Sequence, residues 1–557
     1  MRSIKSKVAL IAVATALAVA GCSGGTKNTA AGVKPQMTAD GKVIIDTMSP
    51  ADQDTNMDTN QVTKIMSDKF KIQFKWQTTT QDGAAAKEKR QIALASGDYP
   101  QLFFLIPWVD AFTQAEVLKL GSQGVALPLE GLIKDYAPNI QKALDSNKTY
   151  KEMSTAPDGH IYALPQWADC FHCTYPDKLW INSTWLKKLH LQMPKTTEEL
   201  RTVLEAFKTK DPNGNGKADE IPMTTDPQDS SLIAYLMGAF AFDPVGANNG
   251  VRSLLTLNGD KVTTPVNSDA WKQGLTYIHS LYKEGLIDPA SFTQNAAALQ
   301  AIGNNPKAVQ IGSAPLLYPG IFVQLGAKDG RDKQYDAAPP LTGPDGKSYT
   351  GYNNPTSTGY TFMLTNKASK EAQVAAIKML DYIYTDEGQR IGNMGPEGVG
   401  WTKPGPGDVA LDTSVKPQYK PKNAADHPKN LSWGALAQYN NTLAFRNAQA
   451  VPTDIYSEAG LERRLFQATE QYKGHEDKAQ VFPTTSVWPD PSLSGELATL
   501  QTNLQNYVNQ NQLAFITGQK DINTGWDTYV KGLDSTGMTR YLQIQQQAYD
   551  KYKKGGK

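Results

Sequence analysis

The stretch QLFFLIP, residues 101–107, is apolar at five consecutive positions and is closed by a proline. A strand with one wet face alternates in polarity. A short unbroken apolar run reads instead as a strand covered on both faces, the condition of largely parallel sheets with helices on either side. The preceding sequence agrees: KVIIDTM (42–48) reads as a buried strand, FKIQFKW (70–76) alternates like a second, and AAAKEKRQIALASG (84–97) has helix-forming composition. Strands alternating with helices point to an α/β lobe, and 557 residues allow two such lobes or three modest domains.

Helical periodicity dominates further along. In PKTTEELRTVLEAFKTK (194–210), Thr196 and Glu199 have capping-box spacing, and Leu200, Val203, Leu204 and Phe207 share a face. Further helices are expected at 271–288, 369–388, 496–518 and 540–554. No internal repeat is present.

At the N-terminus, Arg2, Lys5 and Lys7 precede an apolar run, Val8 to Ala20, that is too short to span a bilayer. It ends in Val19-Ala20-Gly21-Cys22, which resembles the lipobox of bacterial lipoproteins. That implies a signal peptide over 1–21 and lipidation of Cys22, with 22–40 as a small, polar, flexible tether. The expected location is extracytoplasmic, anchored to the cell membrane by an N-terminal lipid. With 56 basic against 55 acidic residues, the chain lacks the electrostatic footprint of a nucleic-acid binder.

Beyond Cys22 the cysteines are Cys170 and Cys173, in DCFHCTY. Such a pair outside the cytoplasm can be a disulfide, a redox pair, or half of a metal site with His172. No further zinc ligands stand at a recognisable spacing. The reading is a local disulfide or two inert thiols.

DPNGNGKADEIP, residues 211–222, carries oxygen donors on alternate positions. Asp211, Asn213 and Asn215 occupy positions 1, 3 and 5 of a calcium-loop pattern, Gly216 permits the turn, Lys217 offers its carbonyl, and Asp219 stands at 9. Position 12 is Pro222, where an EF-hand has glutamate, and the nearest substitute is Glu220 at position 10. The spacing alone leaves that closure open, and an Asx/Gly turn uses similar residues. All-oxygen donors argue against zinc and copper and for a hard cation.

Several stretches together carry a resemblance. They are LASGDYPQLFF (94–104), LPLEGLIKDYAPN (127–139), DGHIYALP (158–165), LWINSTWLKKLHLQMPKTTEELRTVLEAFK (179–208), LYKEGLIDPASF (281–292), PPLTGPDG (339–346), DYIYTDEGQRIGNMGPEGVGW (381–401) and FITGQKDINTGWDTYVKGL (515–533). In this order, with the lipobox and the oxygen-rich loop, the chain resembles the family 1 extracellular solute-binding lipoproteins of ABC-type sugar importers. The likeness is to their large calcium-containing branch, which includes the alginate-binding proteins. The resemblance implies an α/β, two-lobe, type II periplasmic-binding-protein-like fold, with hinge strands and a ligand cleft between lobes. It implies crossings near Pro165, Val309 and Ser369, hence an N-terminal lobe of 41–166 plus 309–368 and a C-terminal lobe of 167–308 plus 369–557. It further implies a structural Ca2+ held by the side chains of Asp211, Asn213, Asn215, Asp219 and Glu220 and by the Lys217 carbonyl. The DCFHC pair lies outside the family pattern.

Functionally, the resemblance implies the monomeric substrate-binding component of an ABC transporter, capturing an oligosaccharide and delivering it to the permease's transmembrane subunits. Sugars present C–H faces and hydroxyl rims, which call for aromatic platforms and planar polar side chains. Among 10 Trp and 24 Tyr, those in loops are the candidates. Trp108 follows the apolar strand, where open α/β sheets place ligands; Trp167 follows the expected hinge; Tyr352 lies in GYNNP, Trp401 closes GPEGVGW, and Trp433 lies in NLSWGAL. Trp488 is a weaker candidate. Asp110, Gln166, Asp169 and Asn353 are polar partners by adjacency. Trp185, Trp271 and Trp526 fall in helical segments and read as core.

An enzyme is not expected. A polysaccharide hydrolase needs two carboxylates across the scissile bond, and HExxH, GxSxG and P-loop motifs are missing. The alternative is a sugar- or peptide-sensing surface lipoprotein on the same scaffold.

Overall fold

The computed structural model describes residues 32–227, 232–243, 254–353, 359–422 and 430–555. The expected signal peptide and Cys22 lie outside the described residues.

Strand β1 (Val43–Pro50) pairs in parallel with β2 (Ile72–Thr79) along its whole length. The helix Gln61–Phe70 makes the crossover, capped at its start by the Asn60 side chain. A second helix, Gly83–Ser96, leads to β3 (Leu102–Phe104), parallel on the other side of β1 and fully buried. The apolar run is a strand for only these three residues, because the chain turns at once: the N–H groups of Val109 and Asp110 both donate to the Ile106 carbonyl. β4 (Leu164–Pro165) follows several helices later.

The chain then crosses to a second sheet, centred on β5 (Leu179–Asn182). After a separate hairpin, β6 (Thr256–Asn258) with β7 (Lys261–Thr263), come β8 (Ser313–Pro315) and β9 (Tyr335–Ala338), which flank β5 on either side, both antiparallel. β10 (Tyr360–Leu364) returns to the first sheet between β3 and β4, antiparallel to both, giving the order β2-β1-β3-β10-β4. A last short pair joins β11 (Trp401–Thr402) and β12 (Lys420–Pro421).

Each sheet has its own core. Ile45, Phe74, Phe104 and Phe362 pack with Ile377 and Leu380 of the helix Lys370–Ile383, and with Trp433 and Tyr439. Ile181, Trp185, Phe207 and Trp271 pack with Phe515, Trp526 and Tyr541 of the C-terminal helices Ser494–Ile516, Ile522–Thr536 and Met538–Lys553. The molecule is therefore a two-lobe α/β structure, with Trp185, Trp271 and Trp526 buried as expected.

Two of the expected crossings move. β8 and β9 pair with β5, so most of 309–352 belongs with the second sheet and not the first. The helix Lys370–Ile383 packs on the first sheet, and Asp381 ties it there by accepting from the N–H groups of Asn139 and Ile140. The second crossing thus precedes β10, and the third follows Tyr439, since Leu465 and Ala468 already pack with Trp180 and Tyr335 of the second lobe. One helix starts where expected but with half of the expected capping box. Thr196 caps Thr197–Thr209 by accepting from the Glu199 N–H at 3.1 Å, while Glu199 accepts from Lys195 N–H rather than completing the box at Thr196.

Candidate functional site

The first and third crossings run side by side. Ala168 bridges Asn441 in parallel; Asn441 N–H donates to the Trp167 carbonyl and Asp169 N–H to the Asn441 carbonyl, each at 2.9 Å. The Asp169 carboxylate adds a third tie by accepting from Leu443 N–H at 3.0 Å. Two strands of hinge are thus held as one ribbon.

Against this ribbon opens a cavity of about 350 Å³, at the lower end of ligand-site volumes. Its walls are Trp167, Asp169, Tyr439, Asn440 and Thr442 from the crossings, and the junction between the helices Pro138–Ser146 and Lys148–Ser154. Trp167 is half-buried, its ring edge-on to Tyr150 at 5.8 Å. Tyr150 is itself fixed: its hydroxyl donates to the Pro165 carbonyl at 3.0 Å and meets the Tyr384 hydroxyl. Burial pushes the Tyr150 hydroxyl far above its ordinary range, so it stays neutral. The cavity thus offers an aromatic surface, amides and hydroxyls on a rigid support.

Of the nine candidate ligand residues, Trp167 and Asp169 line this cavity. Trp108 is 46% exposed on the turn after β3, apart from the cavity wall. The others have structural employment. Trp433 is 3% exposed and donates its indole N–H to Thr63 Oγ1 at 2.8 Å inside the first core, edge-on to Phe74 and Phe104. Trp401 is 6% exposed, packed with Met394 and Tyr419 under the Arg390 guanidinium. Asp110 is buried in a two-pronged ion pair with Arg90, at 2.8 and 3.0 Å. Gln166 is buried and donates to the Ala435 carbonyl. Tyr352 packs edge-on to Tyr175 in the second lobe, and Asn353 N–H donates to the Thr174 carbonyl. Trp488, also buried, donates its indole N–H to the Glu152 carbonyl. Loop position and residue type alone could not separate these from true wall residues. Asn147, Tyr150, Tyr439, Asn440 and Thr442 were missed, although the polar-aromatic run QYNNT (438–442) carried a signal.

The loop 211–220 is wound tightly. Asp211 Oδ1 accepts from Gly214 and Asn215 N–H, and Oδ2 from Gly216 N–H at 3.0 Å. Gly214 and Gly216 take φ of 76° and 74°, and Asp211 itself 48°, the left-handed conformations that such winding needs. Asp219 accepts from the amides of Asn213 and Asn215. The loop is tied to β8 through its lead-in: Ile221 N–H donates to Gln310 and Gly312 N–H to Ile221. Glu220 is the telling residue. Both its carboxylate oxygens are buried with no hydrogen-bond partner among the described residues; burial pushes its pKa up, the nearby backbone N–H groups of Glu220 and Asn213 oppose the rise, and the neighbouring Asp211 and Asp219 add to it. Two buried, unpartnered oxygens beside two further carboxylates are what a hard cation would satisfy. The residues fit the expected ion.

Cys170 and Cys173 form a disulfide, which removes both thiols from any metal set with His172. The bridge closes the turn Phe171–Thr174 at the second-lobe end of the first crossing. His172 Nδ1 lies 3.4 Å from Glu462, which also faces Arg446 at 3.5 Å.

Residues 59–390 match the sequence profile of the bacterial extracellular solute-binding proteins. The chain belongs to that family. Along 98% of its length, this solute-binding protein is 28% identical to the fructooligosaccharide ABC transporter substrate-binding protein FusA of Streptococcus pneumoniae, itself covered over 98%. It is 24% identical to the lipoprotein LipO of Bacillus subtilis, over 97% of both chains. Its fold superposes on FusA in complex with kestose with a TM-score of 0.72 at 25% identity, covering 92% of this chain and all of that one. An EF-hand mutant of FusA in complex with fructo-nystose superposes equally well, with a TM-score of 0.71 at 24% identity and coverage of 92% and 100%. The alginate-binding protein AlgQ2 without calcium ion has a TM-score of 0.63 at 21% identity, covering 91% and 98%. Membership of a binding family assigns this solute-binding protein to capture and not catalysis. No helix among the described residues is long and apolar enough to cross a membrane.

Proposed function

We propose that this protein is the substrate-binding component of an ABC transporter, capturing an oligosaccharide outside the membrane and handing it to the permease. The observation that carries the reading is the cavity at the paired crossings, where the half-buried Trp167 stands among amides and hydroxyls. A pyranose or furanose face packs on the indole, while Asn147, Asn440 and Asp169 meet hydroxyls at its edge. Because Trp167 and Asn440 belong to the two hinge segments, a ligand held there stabilises one lobe arrangement over others, in the manner of hinge closure. The full-length likeness to FusA supports both the sugar and the transporter.

The chain acts as a monomer and is anchored by a lipid on Cys22 after removal of residues 1–21; the lipobox and the likeness to LipO support the anchor. The loop 211–220 holds one structural Ca2+ through Asp211, Asn213, Asn215, Asp219, Glu220 and the Lys217 carbonyl. The buried, unpartnered Glu220 supports it, as does the EF-hand of the FusA relative. When bound, the ion supplies charge neutralisation for three carboxylates and no chemistry on the ligand.

A thermal-shift screen of the unlipidated mature chain against plant, algal and bacterial oligosaccharides tests the reading. A true ligand raises the melting temperature by mass action and is recovered chemically intact. Failure of every glycan to shift melting would defeat it.

A further inference from the structure

Resting on the oligosaccharide reading above, we infer that the sugar taken up is uncharged: a neutral, hydroxyl-rich oligosaccharide and not a polyuronate. The relatives point both ways, one binding fructooligosaccharide and another alginate. The charges around the crossings point one way. A chain with a carboxylate on every sugar needs a cation wherever it is desolvated, because a buried ion without a partner costs several kcal/mol. Arginine forks are the usual answer.

Among the described residues, the cavity wall holds one cation, Lys148, and one anion, Asp169. The Lys148 side chain is 87% exposed and lies 3.6 Å from Glu152 on its own helix. Asp169, fixed on the Leu443 N–H, would meet a ligand carboxylate with like charge. Three other cations among the described residues are already engaged. Arg446 faces Glu462 at 3.5 Å. Lys178 is fully buried and donates to the carbonyls of His172 and Tyr175. Arg90, at the carboxyl end of the first sheet, is held by Asp110 and Glu116. What the wall presents to a ligand is the Trp167 indole, the remaining hydrogen-bonding capacity of the Asn147 and Asn440 amides, which already engage the Tyr150 N–H and the Tyr384 carbonyl, and the hydroxyls of Thr149 and Thr442, a set suited to C–H faces and neutral hydroxyls.

The test is isothermal titration of the unlipidated mature chain with two sets of probes. One set contains kestose and other neutral tri- and tetrasaccharides; the other contains trigalacturonate and other uronate oligomers of matched length. A neutral probe should bind at least about tenfold more tightly than any uronate, with an affinity that stays flat as salt is raised. A uronate binding more tightly than every neutral probe, and weakening steeply with salt, overturns the neutral assignment while leaving the oligosaccharide reading intact. Binding of no probe in either set overturns both.

Discussion

The backbone N–H of Asn441 donates to the carbonyl of Trp167 at 2.9 Å, so the first and third crossings between the lobes are joined at the residue whose indole lines the cavity. Cavity wall and hinge geometry meet in one peptide unit. A ligand shifts lobe closure only by its difference in affinity for the two arrangements, and a platform mounted on the hinge is where such a difference is readily generated.

Replacing Trp167 with alanine should therefore cost affinity more than stability. Loss of one aromatic anchor removes about 1–2 kcal/mol of binding, a roughly five- to thirtyfold rise in Kd. The side chain is only half-buried, so the melting temperature should move little. Titration with the oligosaccharide that binds the parent chain, alongside a melt, reads both. Unaltered affinity would place the ligand elsewhere.

Trp433→Ala and Asp110→Ala should behave in the opposite way. Trp433 fills the first core and Asp110 neutralises a buried arginine. Each substitution should destabilise by about 3–5 kcal/mol, through a cavity in one case and an orphaned charge in the other. Urea unfolding measures the loss, and ligand Kd in the surviving folded fraction should stay within a few-fold of the parent.

For the oxygen-rich loop, calcium at a hundredfold excess over its Kd should add about 2.7 kcal/mol to unfolding stability. Chelator should remove that increment from the parent and leave Asp211→Ala/Glu220→Gln untouched. Identical melting of the parent with and without chelator would refute the calcium assignment.

The disulfide should contribute less. Cross-linking Cys170 to Cys173 closes a loop with a separation of only 3 residues, and loop-closure entropy for so short a ring is worth about 2 kcal/mol. Cys170→Ser/Cys173→Ser should lose no more than this in urea unfolding, and reductant should destabilise the parent but not the variant.

These contrasts mark what could be read from the residues. The strands at 43–50 and 72–79 and the helix Thr197–Thr209 were legible because periodicity and capping are local. The pairing of β8 and β9 with β5 was not, because strands of three and four residues carry too little pattern to name their partner. The oxygen-rich loop stood out in the sequence because its candidate donors lie within ten residues. The cavity wall did not, since it assembles residues from 143–150, 167–169 and 439–442. Loop tryptophans in the sequence look alike, and only packing separates Trp167 from Trp433.

Glu462 provides a pH signature. Burial alone would raise its carboxyl, but His172 and Arg446 together outweigh burial and hold it down at about 2, from an ordinary 4.5. A carboxyl lowered on folding favours the unfolded chain once protons bind. Its stabilising contribution is complete above pH 4.5 and is lost as pH falls through 2. The side chain is 36% exposed, so solvent screening makes the contribution smaller than the full shift implies. Glu462→Gln should accordingly be less stable than the parent at pH 5, with a difference that shrinks steadily down that window. Urea unfolding at a series of pH values reads the difference directly. A gap that stays constant with pH would assign the loss to packing, and the ion pairs with His172 and Arg446 would then contribute nothing.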